Sequence, residues 1–215
     1  MRNEATFEEK IKKAGSIKSY FFSADGLVLA PEKKDDLESL YDWAGSLVRS
    51  KDGGEKIEAY LNGISLDELK LLNISDHRTL LMDIVLSGGA FNPESVNQVL
   101  DLILVNPQEA EDSGLNTYIN TRDSLGRSVL TCALTTGNEV IVKRLLNIGA
   151  EWHDKDTNAL LLSGNSTLFE PILEKLASKD RDELVTSMKH FLISGDLLTQ
   201  IGDTRDQVDI FSDQI

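Results

Sequence analysis

The sequence predicts an all-α protein, and three observations predict it. Aromatic residues make up only 6% of the 215 residues, and the apolar weight falls on Leu, Ile, Val and Ala, which suits helix-on-helix packing better than a β-sandwich. No segment sustains the apolar–polar alternation of a half-buried strand. From residue 73 onward, short apolar stretches at helical spacing come in pairs separated by Gly, Asn and Asp. A short helix pair cannot bury its apolar face alone and must stack on neighbours. The expected architecture is therefore an α-solenoid of about three to four irregular helix pairs. Residues 1–54 form an N-terminal helical region, and 55–215 form the stack with a C-terminal helical cap.

Residues 5–22 read as a helix, since Thr6 and Glu9 have capping-box spacing and Phe7, Ile11 and Ala14 share a face. Asp25-Gly26 marks a turn. A second helix follows Pro31, with Leu37, Leu40, Tyr41, Ala44, Leu47 and Val48 as its apolar stripe. Gly53-Gly54 breaks it. Glu55 to Asn62 is a short helix closed by Gly63, and Ser65 with Glu68 caps another over Leu66–Leu72.

The best-formed pair lies at residues 123–150. Asp123 and Gly126 shape a turn, and Ser128 caps an inner helix carrying Leu130, Cys132, Ala133 and Leu134, whose small residues permit close stacking. Gly137 ends that helix. Val140, Ile141, Leu145 and Leu146 recur at helical spacing in an outer helix, and Gly149 closes the unit.

This stretch resembles the ankyrin repeat, whose pattern is a D-x-x-G turn, a T-P-L-H opening, a small-residue inner helix, a glycine, an I-V-x-x-L-L outer helix and a final G-A. The opening here departs from it, reading Ser128-Val129-Leu130-Thr131. The next turn aspartate, Asp156, lies 33 residues after Asp123, which is the period of that repeat.

A preceding, altered unit starts at Thr79-Leu80-Leu81-Met82, continues through Ile84, Val85 and Gly88, and takes Val96, Val99, Leu100, Ile103 and Leu104 for its outer helix. Residues 106–120 read as a long loop. A shortened following unit has Asp156, Leu160, Leu161 and Gly164-Asn165, then Phe169, Ile172, Leu173 and Leu176 with Pro171 in the first turn, where proline is tolerated. Leu184, Val185, Met188, Phe191, Leu192 and Ile193 form a helix able to seal the end. Residues 55–72 read as a degenerate earlier repeat.

The formal net charge is -14. Such a chain lacks the basic face that nucleic acid requires and is repelled by an anionic membrane surface. Residues 1–34 hold seven basic residues against five acidic ones, so the remainder carries -16. The charge keeps the chain soluble and also suits a partner with a basic surface. Cys132 is the only cysteine, so no intramolecular disulfide forms, which fits a reducing cytosol. The N-terminus has no signal-like apolar run, and no segment is long and apolar enough to span a bilayer.

Little points to chemistry. Cys132 falls among small inner-helix residues and reads as structural. His77, His153 and His190 are far apart, and His153 with Asp154 and Asp156 sits where polar turn residues belong. No cofactor is implied, and Walker, G-x-G-x-x-G and G-x-S-x-G motifs are absent.

In ankyrin stacks, partners contact turn tips and exposed inner-helix ends. By resemblance these positions are Ser124, Leu125 and Arg127 on one turn, Thr135 and Thr136 on the inner helix, and Glu151, Trp152 and His153 on the next tip. Trp152 reads either as an interface anchor or as packing against the neighbouring tip. The expected function is a protein-interaction module and not an enzyme. The chain is expected to be a cytoplasmic monomer; small single-chain proteins of this sort occur among effectors delivered by intracellular bacteria into a host cell cytosol, an origin that rests on the resemblance alone. The alternative is an enzyme or enzyme-modifying protein with a site in residues 1–72.

Overall fold

The computed structural model describes residues 5–22, 28–74, 76–103, 114–176 and 178–193. Among them the fold is all-α, with no strand. The helices are α1 (Phe7–Ala14), α2 (Ile17–Phe21), α3 (Leu37–Val48), α4 (Gly53–Leu61), α5 (Leu66–Leu71), α6 (Leu80–Gly88) and α7 (Pro93–Ile103). They continue as α8 (Leu115–Ile119), α9 (Val129–Thr136), α10 (Glu139–Asn147), α11 (Asp154–Ser163), α12 (Phe169–Lys175) and α13 (Ser178–Ile193). Short 3-10 turns at Pro31–Asp36 and Ser166–Leu168 lead into α3 and α12.

The helix starts follow from their caps. Thr6 with Glu9, and Ser65 with Glu68, form reciprocal capping boxes. Thr79, Ser128 and Asn138 each accept a backbone N–H of the first turn of α6, α9 and α10. The N-terminal stretch is two helices instead of one, because Gly15 turns left-handed at φ 88° and Ser16 starts α2. Residues 115–119, read above as loop, are helical because Leu115, Tyr118 and Ile119 bury apolar faces. The turn at Asp25-Gly26, the expected helix residue Leu104, residues 106–113 of the expected loop, the side chains of His190, Phe191, Leu192 and Ile193, and the tail beyond lie outside the described residues.

Packing follows two rows of contacts. In one, α3 lies against α6, α6 against α9, α9 against α11, and α11 against α13; in the other, α4 lies against α7, α7 against α10, and α10 against α12. A single buried cluster runs from Ile11 to Met188 and includes residues on both sides of residue 54. Leu130, Cys132, Ala133 and Leu134 are all buried in it, and so are Leu184, Val185 and Met188. Val140 departs from its apolar expectation and stands 57% exposed, because it follows the cap on the outer side of α10 while Ile141, Val142 and Leu145 take the core face.

Three asparagines tie successive pairs together. The Asn92 amide donates to the Ser50 carbonyl at 2.6 Å, Asn138 to Gly89 at 2.8 Å, and Asn165 to Gly137 at 2.8 Å. The other end of each amide accepts a backbone N–H at the helix start that follows it, from Ser95, Ile141 and Thr167. One side chain thus satisfies both an orphan donor and an orphan carbonyl. Asn138→Ala removes both bonds at once and is expected to cost about 2 kcal/mol, read as a lower urea midpoint with unchanged slope. A midpoint equal to wild type would show the tie to be idle.

Candidate functional site

The turn at 123–127 is built by its own residues. Asp123 is buried, and its carboxylate accepts the backbone N–H groups of Leu125 and Arg127 at 3.0 and 2.9 Å. It also accepts the Arg127 guanidinium at 2.7–2.8 Å. The guanidinium and these N–H bonds hold the carboxyl below its ordinary value against the opposing pull of burial. Gly126 supplies the left-handed corner at φ 72°.

Ile74, His77 and Arg78 repeat the backbone bonds of that turn. Ile74 N–H donates to the Arg78 carbonyl as Asp123 N–H does to Arg127, and His77 takes the left-handed corner at φ 61° where the other turn has Gly126. The turns meet where Ser124 N–H donates to the Asp76 carbonyl at 2.7 Å.

The expected contact residues fall into two groups. Ser124, Leu125, Thr135 and Glu151 are exposed, Leu125 at 60%. The others are committed to internal bonds. Arg127 is half-buried on Asp123. Thr136 is half-buried, its hydroxyl donating to the Ala133 carbonyl. The His153 N–H donates to Asp156 at 2.8 Å. Trp152 is half-buried, packs on the core and donates its indole N–H to the Thr157 hydroxyl at 3.2 Å. Trp152→Ala is therefore expected to cost about 1–2 kcal/mol of stability through lost apolar burial, with a melting curve as the check; an unchanged midpoint would return the ring to the role of free anchor.

The His153, Asp154 and Asp156 grouping is split by burial. Asp154 is exposed, whereas Asp156 is buried between α9 and α11. Its Oδ1 accepts the Thr131 hydroxyl at 2.5 Å, and Thr131 in turn accepts the Ser128 N–H at 3.0 Å. Burial raises the Asp156 carboxyl above its ordinary value, with Thr131 and the His153 N–H acting the other way. Cys132 is 1% exposed and burial pushes its thiol up to about 12, so it is a poor nucleophile at neutral pH.

A second feature carries no sequence motif. An open groove of about 880 Å³ runs between residues 28–38 and the stretch 71–74 with His77, lined by Val28, Leu29, Leu37, Leu71 and Ile74 with Lys34, Asp35, Glu38, Asn73 and His77. Val28 is 66% and Leu71 43% exposed. His77, on the rim, belongs to the turn that abuts the Leu125 turn. The groove and the turn tips therefore adjoin. The only sequence signal for it was a pair of apolar residues off the helical stripes.

No known protein family, curated protein or solved structure matches the chain. Among the described residues no helix is long and apolar enough to cross a membrane.

Proposed function

We propose that the chain is a protein-interaction module, an irregular ankyrin-like stack of helix pairs that presents its turn tips and adjoining inner-helix ends to a protein partner. One observation carries the reading. Leu125 stands 60% exposed at the tip of a turn held rigid by the buried Asp123 and its four bonds. A large apolar side chain kept in water on a stiff support is pre-organised for contact, and pre-organisation lowers the entropy cost of binding. The two rows of helix contacts, the backbone bonds of Ile74, His77 and Arg78 that match those of the turn at 123–127, and the asparagine ties support the repeat reading. Exposed Ser124, Thr135 and Glu151 extend the contact surface, while Arg127, Thr136, Trp152 and His153 support it from behind. An acidic module of this form acts in a cytosol, including that of a host cell if it is a delivered effector.

The test is cross-linked capture with wild type and Leu125→Glu as baits. The expected outcome is a partner held by wild type and lost by the variant, with equal melting temperatures because the site is exposed. Equal capture by both would remove the turn tips from the interface.

A further inference from the structure

We infer that the groove between residues 28–38 and the stretch 71–74 with His77 receives a basic peptide segment of the partner, with an apolar side chain against Val28 and Leu71 and its Lys or Arg residues on the carboxylates beside them. This rests on the interaction-module reading and names the chemistry of the partner.

Size, lining and charge converge on that occupant. About 880 Å³ is room for several side chains. Five lining residues are apolar; Val28 and Leu71 stand exposed, and Leu29 and Ile74 are half-buried. Asp35 and Glu38 line one wall, and Asp42, one turn on from Glu38, continues the same exposed side of α3. Asp76 adjoins His77 on the other wall, and the fields of Asp42 and Asp76 both reach Asp83. The neighbouring cations are engaged: Arg78 with Asp83 at 3.0 Å, Arg127 with Asp123 at 2.7 Å, Lys70 with Asp67 at 3.1 Å, and Lys33 over the Tyr20 ring at 4.1 Å. Lys34 stands beside Asp35 on the rim. Carboxylates thus outnumber cations around an apolar trough, on a chain of net charge -14, which steers a basic segment in and an acidic one away.

The experiment pans a random 12-residue phage-displayed peptide library against the full chain, then titrates synthetic copies of the enriched peptides by fluorescence anisotropy. Enriched peptides should carry at least two Lys or Arg around a large apolar residue. Leu71→Ala should weaken them about tenfold, as should Glu38→Lys with Asp42→Lys, while Leu125→Glu changes affinity less than about twofold. The altered positions are exposed, and melting curves matching wild type confirm folding. Acidic or uncharged consensus peptides would overturn the proposed chemistry. Basic peptides sensitive to Leu125→Glu and indifferent to Leu71→Ala would overturn the groove and leave the module reading standing. No enrichment over uncoated wells would overturn the groove, with the Leu125→Glu capture experiment deciding the module reading separately.

Discussion

Gly54→Val is expected to destabilise the fold by about 3 kcal/mol, which lowers the melting temperature of a chain this size by roughly 6–12 °C. Gly54 sits in the first turn of α4, where that helix meets α7. A Cβ there would lie 2.1 Å from Gln98 Oε1, 2.7 Å from Ser95 Cα and 2.8 Å from the Ser95 carbonyl oxygen. Gln98 can swing away, but the Ser95 contacts are backbone in the first turn of the packed helix α7, so α4 must lift from α7. The comparison is Gly63→Ala, where nothing lies within 4 Å and φ is 79°; it carries only the left-handed strain of about 1 kcal/mol. Equal effects at the two positions would mean that α4 does not press on α7 as described.

Asp156→Ala should cost about 3 kcal/mol at neutral pH, because it strands the Thr131 hydroxyl and the His153 N–H inside the α9–α11 contact. Asp156→Asn should stay within about 1 kcal/mol. Its Oδ1 can accept from His153 and its Nδ2 can donate to Thr131, whose proton then turns to Ser128 Oγ at 3.2 Å. The pH dependence separates the two. Asp156 has a folded pKa above its ordinary 3.8, so the folded state binds that proton more tightly than the unfolded chain. Its contribution is fully favourable below 3.8 and is lost as pH rises through the folded value. Asp156→Asn should therefore gain on wild type as pH is raised from about 4 to 8. Asp123 and Glu68, held below their ordinary values, behave oppositely: their stabilisation is present above the unfolded pKa and lost as pH falls through the folded one. Subtracting the two pH–stability curves isolates Asp156, and a flat difference would show that its carboxyl is not buried in this network.

Much of the local structure was legible because it depends on residues within one turn. The capping pairs at Thr6, Ser65 and Ser128, and the inner-helix burial of Cys132 and Ala133, followed from spacing and size. The matching Gly137-Asn138 and Gly164-Asn165 pairs were visible, but not that each asparagine reaches back to the preceding pair. Val140 fitted an apolar spacing and is exposed, since periodicity marks a face without saying how wide the buried part is. Trp152 had two readings, and its bond to Thr157 with core contact was decided by the neighbouring helix.

By itself, then, the sequence determined that the chain is helical, where most helices start, and which small residues lie inside, because caps and 3.6-residue periodicity are short-range effects. The tertiary structure alone decided the contact of α3 with α6, the meeting of the two turns at Ser124 and Asp76, the buried Asp156–Thr131 bond and the groove beside Leu71. Each of these joins residues tens of positions apart, and no local propensity encodes which distant surfaces will close on each other and which will stay open to water.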